Sequence, residues 1–340
     1  MPAPESACFN QRPCTMENPT VKVVLVTMFN PGQRRPGELE RFRTGLGLRP
    51  WPVAGFPKGM LWRNGEGVVA LVAGVGPVNT AVNVLTLGLR GPANLRKAYW
   101  VVAGISGGNP AVCSLGSPVV ANWVVDGDLA YDLHPADLPL HWNTGILPLG
   151  ARLPFGAVDD SAGLFGKPAQ VFHLHAPLAV WARRIMRRVE LFDSAELAAV
   201  RQNYAAFAAG ARPPKVQGGD VLSAARFWHG TRHHAWAEQW MKYWTKGCGR
   251  LATSAMEDSG TLGALRQLDR LALADWKRVL VLRSVSNYTV PPTGRSALAH
   301  LTGESGQEAN VNFPALDAAL ENLWRGGGAV IRAVLARSLR

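Results

Sequence analysis

Three short apolar runs, each ending in a glycine or a turn, place the strongest constraint on how this chain folds. They are Val21 to Met28, Val68 to Ala73 and Tyr99 to Ala103. Runs of this length that are rich in β-branched residues are typical of strands buried on both faces, as in a parallel sheet. The apolar spacing of Pro77 to Leu89, after the second run, predicts a helix. Strand, glycine turn, helix and strand in this order predict an α/β fold.

The remainder of the chain continues this pattern without an internal repeat or a low-complexity block. We therefore predict one domain over residues 21–340, behind a flexible leader of residues 1–20. Residues 117–175, in which proline, glycine and aspartate recur, predict strands and long loops. The later predicted elements are a helix over Trp181 to Ala209 with a break at Asp193-Ser194, a strand over Val279 to Ser284, a loop over Ser286 to Gly294, and helices over Ala315 to Trp324 and Ala329 to Leu339.

The charge of the chain suits an anionic partner, since its formal net charge is +12. The cations are scattered along the sequence, however, and the densest groups, Arg34-Arg35 and the arginines of residues 183–188, are short. The second group has helical spacing, which predicts a solvated helix face. We therefore predict no nucleic-acid partner.

Cysteine usage and hydropathy exclude several other classes of protein. The four cysteines lack the spacing of a zinc site and the density of a disulfide scaffold, although a bridge between Cys8 and Cys14 stays open. No apolar run approaches the roughly 18 residues that a membrane span requires. The first twenty residues contain no visible secretory signal, which predicts a cytosolic protein or one whose signal is missing from this sequence.

Two glycine-rich segments follow predicted strands, where α/β folds collect ligands. Gly74 to Asn79 could hold an anion at a helix N-terminus, but it lacks the third glycine of a dinucleotide site. Gly104 to Asn109 would let a ligand approach the main chain closely. Tight turns without any ligand remain the alternative for both segments.

Residues 254–257 have the spacing of a helix-capping box, in which Ser254 and Glu257 would bond to each other's backbone N–H groups. A carboxylate at Glu257 could instead accept hydrogen bonds from the two vicinal hydroxyls of a ribose. The histidines at 173, 175, 229, 233 and 234 lack carboxylate or cysteine neighbours at ligand spacing, so we predict no metal site.

Seven segments taken in order resemble the purine nucleoside permease family, which is related to the purine nucleoside phosphorylases and methylthioadenosine nucleosidases. The resemblance implies a phosphorylase/hydrolase-like α/β fold, with a central mixed β-sheet that is partly barrel-like and surrounded by helices. It also implies a homo-oligomer, and a periplasmic or extracellular location as an alternative to the cytosol. The segments are Val21 to Pro31, Ala73 to Ala81, Val102 to Pro110, Val124 to Asp132, Gly218 to Gly230, Ser254 to Gly260 and Ser286 to Gly294.

The resemblance also implies roles for individual residues. Met256 and Glu257 match the pair that holds the ribose hydroxyls, which favours the ribose role of Glu257 over capping. The base-binding positions are Ile105, Ser106, Gly107, Leu222 and Asn287. Many relatives have Ser-Asp where this chain has Ser286-Asn287; an amide donates a hydrogen bond to the purine but cannot transfer a proton. Inosine and guanosine are therefore expected over adenosine.

The resemblance leaves the nucleophile open between water and phosphate. The first loop, with Asn30, Gly32, Arg34 and Arg35, could bind phosphate as a co-substrate, and no other cofactor is expected. This loop lacks the glutamate that activates water in nucleosidases; Glu38 could replace it only if the loop is longer than usual. Two functions follow: cleavage of the N-glycosidic bond with Glu257 and Asn287 as catalytic residues, or non-catalytic nucleoside binding that assists uptake.

Overall fold

The protein is described here by a computed structural model that covers residues 20–30, 36–158, 171–302 and 313–337. Residues 1–19 of the predicted leader, including Cys8 and Cys14, lie outside the described residues. The strands are β1 Val23–Thr27, β2 Arg49–Pro52, β3 Met60–Arg63, β4 Val68–Val72, β5 Tyr99–Gly108, β6 Pro118–Asp126, β7 Ala130–Asp132, β8 Ile146–Pro148, β9 Val171–His173, β10 Gln217–Ser223, β11 Leu251–Ala255 and β12 Val279–Tyr288. The helices are α1 Glu38–Gly45, α2 Pro77–Arg90, α3 Ala176–Met186, α4 Ala195–Gln202, α5 Thr231–Trp244, α6 Asp258–Arg270, α7 Ala297–Thr302 and α8 Leu316–Arg337.

Most of the strands form one mixed sheet that closes partly on itself. The path runs β11, β10, β6, β12, β5, β1, β4, β3 and β2, and β11 also pairs with β5. This extra pairing joins β5, β12, β6, β10 and β11 into a barrel-like ring of five strands, with helices packed around it. The predicted α/β class and its partly barrel-like mixed sheet are confirmed.

The first strand shows why these residues build a buried parallel sheet. All five residues of β1 are buried, and β1 runs parallel to β4 and β5 on its two sides. Val24 and Val26 pack in a cluster with residues of α2 and α6, whereas Val23 and Leu25 pack in another cluster with residues of α1, α3 and α8. Each such side chain contributes about 1.5 to 3 kcal/mol of burial free energy. Neither face of β1 reaches water, which is why aliphatic residues fill most of its positions.

Several predicted boundaries differ from the structure. Residues 105–108 and 286–288, predicted as turn and loop, extend β5 and β12, because the two strands pair in parallel as far as Gly108 and Tyr288. The predicted helix over 181–209 is two helices, α3 and α4; the break holds, since Ser194 caps α4 by accepting the Leu197 N–H at 3.2 Å.

The two helices predicted at the end of the chain are one continuous helix, α8. The prediction separated them at Gly326, Gly327 and Gly328, because glycine weakens a helix. In the structure these glycines lie at packing contacts, where a Cβ atom would lie 2.6 Å from Met186, 3.0 Å from Phe42 and 2.5 Å from Trp324, respectively. Close packing of α8 on its neighbours therefore outweighs the low helix propensity of the three glycines.

Across the described helices, α8 included, none combines the length and the apolar character needed to cross a membrane. The exposed and buried cysteines Cys248 and Cys113 are both free thiols.

Candidate functional site

A pocket lies where β1, β5 and β12 end, next to the segment between β11 and α6. It brings together most of the residues predicted to bind a ligand. Those that line it are Ile105, Ser106, Gly107, Met256, Glu257 and Asn287. They come from three separate parts of the chain and meet because β5 pairs with both β12 and β11.

The remaining predicted site residues do not join this group. Leu222 is fully buried in a different cluster, with Val125 and Trp236, on the opposite face of β10 from the Ser223 hydroxyl that bonds to Ser259. Leu222 is therefore not among the residues that line the pocket. Asn30 is described but is not among the residues that line the pocket. Gly32, Arg34 and Arg35 lie outside the described residues.

Glu38 reaches the pocket from the first turn of α1. Its Oε2 atom accepts hydrogen bonds from the backbone N–H groups of Met28 at 2.8 Å and Phe29 at 2.9 Å, at the end of β1. Its Oε1 atom accepts from the Ile105 N–H at 2.7 Å, on β5. The carboxylate thus ties two strand ends together while lining the pocket. Glu38, the substitute considered in the sequence, therefore lies beside the end of β1 and lines the pocket.

A buried arginine lies behind Glu38 and Glu257. Arg283, on β12, donates from Nε and Nη2 to the two carboxylate oxygens of Asp258 at 3.1 and 2.6 Å, and from Nη2 to Glu257 at 3.2 Å. Its Nη1 atom donates to the Ile105 carbonyl at 3.0 Å. Arg283 and Asp258 are 1% and 0% exposed, so this pair is shielded from solvent. One guanidinium therefore orients both the ribose-binding candidate and the end of β5.

Burial raises the pKa of the two pocket carboxylates, Glu38 and Glu257, and the charge of Arg283 opposes this effect. Burial raises the pKa of Glu38 to about 7, against the lowering effect of Arg283 and the backbone N–H groups of Phe29 and Met28. Burial also raises the pKa of Glu257, again opposed by Arg283. Glu38 therefore changes its protonation state near neutral pH, which suits a group that accepts a proton.

Gly104 is required for this arrangement. A Cβ atom at this position would lie 2.4 Å from Nη1 of Arg283 and 2.7 Å from Oε1 of Glu38. Gly104, the first glycine of the segment that was predicted to be a ligand-binding turn, therefore leaves room for the buried side chains of Arg283 and Glu38. The prediction of a turn was wrong at this point, since Gly104 lies inside β5.

Asn287 has a fixed orientation at the other side of the pocket. Its Oδ1 atom accepts a hydrogen bond from the Ser286 hydroxyl at 3.0 Å, while Nδ2 makes only a long contact of 3.4 Å to the Tyr288 carbonyl. The Nδ2 atom lies 3.5 Å from the position that a Cβ of Gly107 would take. The amide therefore presents a hydrogen-bond donor over the bare backbone of β5.

Aromatic rings form part of the pocket wall. Phe29 follows β1, Phe227 and Trp228 follow β10, and Phe313 precedes α8. The rings of Phe227 and Phe313 make an edge-to-face contact at 6.0 Å. A flat, partly apolar ligand with hydroxyl groups at one end would fit carboxylates on one side and rings on another.

The capping-box alternative for Glu257 is wrong. Ser254 lies within β11, and Glu257 makes no side-chain capping bond to α6. The other predicted glycine turn is correct: Gly76, with a φ of 88°, ends the link from β4 and Pro77 starts α2. The described residues contain no group of three or more His, Cys, Asp or Glu side chains placed to hold a metal ion.

Sequence reasoning missed Arg283 and Asp258 and left Glu38 conditional. A signal for Arg283 was present, because a lone arginine interrupts the apolar run over residues 279–284. A charged residue in a strand buried on both faces needs a buried counter-charge. Asp258, directly after Glu257, was the nearest candidate in the matched segment.

Comparison with known proteins identifies the family of this chain. The model of the family described as purine nucleoside permease matches residues 20–338. This chain belongs to the purine nucleoside permease family. A probable purine nucleoside permease of Schizosaccharomyces pombe is 26% identical over 268 residues, which cover 78% of this chain and 74% of that protein. The purine nucleoside permease of Candida albicans is 26% identical over 272 residues, which cover 79% of this chain and 64% of that protein. The family member described here thus spans less than two thirds of the Candida protein.

Solved structures share the fold of this purine nucleoside permease family member at low sequence identity. The 5'-methylthioadenosine/S-adenosylhomocysteine nucleosidase of Neisseria meningitidis superposes with a TM-score of 0.53 and 15% identity, covering 92% of this chain and 99% of that one. The futalosine hydrolase of Helicobacter pylori superposes with a TM-score of 0.53 and 14% identity, covering 94% and 98%. The chain therefore has the nucleosidase-like fold.

Proposed function

We propose that the pocket binds a purine nucleoside and that the protein serves nucleoside uptake as a binding protein, in keeping with its family. The observation that carries the proposal is the pairing of Glu257 and Asn287 in one pocket, with a carboxylate for hydroxyl groups and an oriented amide donor for a base. A nucleoside has both parts in one small molecule. The uncharged ligand also avoids adding another net charge to the buried carboxylate cluster.

Glu257 is the proposed ribose contact. Arg283 and the Met256 N–H both donate to its Oε2 atom at 3.2 Å, which fixes the carboxylate at the edge of the pocket. Two vicinal hydroxyls can donate to one carboxylate, and hydrogen bonds to a charged acceptor are stronger than those between neutral groups.

Asn287 is the proposed base contact and gives the expected preference. With Oδ1 held by Ser286, the amide offers Nδ2 to the ligand. The O6 atom of hypoxanthine or guanine accepts such a bond, whereas the 6-amino group of adenine is itself a donor. A site that hydrogen-bonds a ligand atom discriminates strongly against a ligand with the wrong partner. Inosine and guanosine should therefore bind more tightly than adenosine.

Isothermal titration calorimetry with inosine, guanosine and adenosine tests the binding proposal. Glu257→Gln should weaken inosine binding by about tenfold or more, because the charged acceptor is lost. Glu190→Gln, an exposed carboxylate outside the pocket, is the matched control and should leave the affinity unchanged. Equal affinities for inosine in both variants would overturn the assignment of the ribose contact.

A second candidate function is hydrolysis of the bound nucleoside, and Glu38 is the observation that favours it. A base with a pKa of about 7 can take a proton from water as that oxygen bonds to C1′ and the bond from C1′ to the purine breaks. Asn287 would stabilise the negative charge that develops on the departing base. The nearby Glu38 carboxylate disfavours phosphate as the nucleophile, because two anions would then share one buried site.

Chromatography of free base and sugar after incubation with inosine separates these functions. Free ribose formed with or without phosphate would establish hydrolysis, and ribose 1-phosphate formed only with phosphate would establish phosphorolysis. If hydrolysis occurs, Glu38→Gln should slow it by about 10² to 10⁴-fold. Binding without any product would support the uptake role and not hydrolysis or phosphorolysis.

A further inference from the structure

A basic groove lies at the end of the sheet opposite the nucleoside pocket. Its walls come from the start of β1, from β2, from the turn between β3 and β4, and from the last turns of α8. Its cationic side chains are Lys22, Arg49, Arg63 and Arg332. Glu66 is the single carboxylate among the described residues that line it. Lys22 precedes β1 and Phe29 follows it, so about 20 Å of extended chain separates the groove from the pocket.

Tryptophan rings restrain two of these cations. The guanidinium carbon of Arg63 lies 4.3 Å from the centroid of Trp51, and that of Arg332 lies 5.0 Å from the centroid of Trp324. A guanidinium stacked on an indole keeps its N–H donors free at the edge of the stack. The charges are therefore held in position around the groove instead of moving freely with long side chains.

The cations of the groove are not neutralised within the described part of the chain. No carboxylate there lies within ion-pair distance of Lys22, Arg49, Arg63 or Arg332. Elsewhere on α8, by contrast, Glu321 pairs with two arginines, at 2.9 and 2.7 Å. The groove thus keeps a net positive charge, which an external anion would compensate.

The positive surface continues past the groove along α8. Arg337 is exposed and stacks on Trp181 at 4.3 Å, where α3 packs beside α8. The charge therefore extends beyond the cleft, which suits an extended anionic surface better than one small anion.

We propose that this basic face, defined by Lys22, Arg49, Arg63, Arg332 and Arg337, docks the protein on an anionic phospholipid bilayer. Each arginine or lysine near such a surface strengthens attachment about fivefold, and indole–arginine pairs suit the polar zone of a bilayer. Nucleic acid fits less well, because the rings of Trp51 and Trp324 are covered by guanidiniums and cannot stack on bases. A bilayer bound at this face leaves the nucleoside pocket open to the aqueous phase at the opposite end.

Co-sedimentation of the full chain with vesicles tests the proposal. Vesicles of phosphatidylcholine with 30% phosphatidylserine, roughly the charge density that attracts basic segments, are compared with vesicles of phosphatidylcholine alone. Binding should occur only to the anionic vesicles and should fall sharply on raising NaCl from about 0.1 to 0.5 M. The triple variant Arg49→Gln, Arg63→Gln, Arg332→Gln should bind on the order of a hundredfold more weakly. The matched control Arg152→Gln, Arg232→Gln, Lys242→Gln, which removes three exposed cations around β8 and α5, should bind as the unaltered protein does.

Three outcomes would overturn the proposal. One is the absence of binding to anionic vesicles at low salt, and another is equal loss of binding in the triple variant and its control. The third is saturation of the groove by inorganic phosphate or DNA without any attachment to vesicles, which would indicate a different ligand. Because Arg332 also donates to the Gly45 carbonyl at 3.0 Å, the single variant Arg49→Gln gives a second measurement, with an expected fivefold loss, if the triple variant does not fold.

Discussion

Charged side chains are buried at one end of the central sheet and exposed at the other. At the carboxyl ends of β1, β5 and β12, the charged side chains of Glu38, Glu257, Asp258 and Arg283 are buried. Arg283 hydrogen-bonds to Glu257 and Asp258, and its charge also acts on Glu38. At the amino end of β1, the cations of the basic face reach solvent, and three of them, Arg63, Arg332 and Arg337, stack on tryptophan rings. Buried charges must be paired, because their desolvation is costly, and they shift one another's pKa. Exposed charges need no partner and act at longer range. The first end therefore suits the small ligand that we propose, and the second suits the large surface that we propose.

Removing one charge from each end should show the largest difference between them. Arg283→Met leaves three carboxylates buried without their cation, and we expect the free energy of unfolding to fall by about 3 to 5 kcal/mol. Arg49→Met at the basic face should change it by less than about 0.5 kcal/mol. Urea unfolding of both variants at pH 7 measures the two effects. Similar losses in both variants would contradict the contrast between the two ends.

The pH dependence of stability should differ between the two ends as well. Burial raises the pKa of Glu38 from 4.5 to about 7. As the pH rises, the folded protein therefore keeps a proton on Glu38 at pH values at which the unfolded chain has already released it. The stability contributed by this proton is complete below about pH 4.5 and is lost as the pH rises to about 7. The loss amounts to about 3 kcal/mol.

Glu38→Gln tests this dependence, because the amide cannot ionise. Between pH 4.5 and 7 the unfolding free energy of the variant, measured relative to the unaltered protein, should rise steadily. Glu190→Gln, on an exposed residue, should show a constant difference over the same range. A flat difference for Glu38→Gln would mean that Glu38 stays ionised in the folded protein.

Adding a methyl group beside the buried charged cluster should have an intermediate effect on the free energy of unfolding. Gly104→Ala would drive a methyl group into Arg283 and Glu38, which should cost about 1 to 3 kcal/mol and weaken inosine binding. Gly263→Ala is the matched control, because it lies in α6 with open space around its Cβ position and should stabilise the protein by about 0.5 to 1 kcal/mol. Urea unfolding measures the change in unfolding free energy for both variants, which should be negative for Gly104→Ala and positive for Gly263→Ala. A stabilised Gly104→Ala variant would refute the close contact.

Salt should have its smallest effect on the pocket. Inosine is uncharged and the carboxylates of the site are buried, so its affinity should change less than about twofold between 0.1 and 0.5 M NaCl. Attachment to anionic vesicles should weaken strongly over the same range. Calorimetry for inosine and sedimentation for vesicles make the comparison, and a steep salt dependence of inosine binding would indicate an exposed, charged site instead.

The sequence predicted the parts of the fold that depend on local pattern. The run at 21–28 predicted a strand buried on both faces, and Gly76-Pro77 predicted the start of α2. Both predictions were possible because buried strands select apolar residues and a positive φ selects glycine. The continuity of α8 was not predictable from local pattern, since Gly326 and Gly327 are explained only by side chains that approach from α3 and α1, and Gly328 by the ring of Trp324 one turn earlier in α8.

The site divides in a similar way. Resemblance to a family placed Ile105, Met256 and Asn287 in one ligand site, and the structure brings them into one pocket. Leu222 also occupies a position that matches the family. Because side chains alternate along β10, however, it faces another cluster, where it packs near Gly127. A motif match identifies a position on the chain, whereas the face of the strand decides what the side chain touches.

By itself the sequence determined the α/β class, the order of most elements and the family of this protein. Only the tertiary structure decided that Glu38, Glu257 and Asp258 share one buried arginine, and that cations from β1, β2, β3 and α8 meet at the opposite end. The physical reason is distance along the chain: Arg283 contacts groups up to 178 residues away. Interaction between charges depends on their separation and burial in space, and neither quantity is recorded in the local pattern of residues.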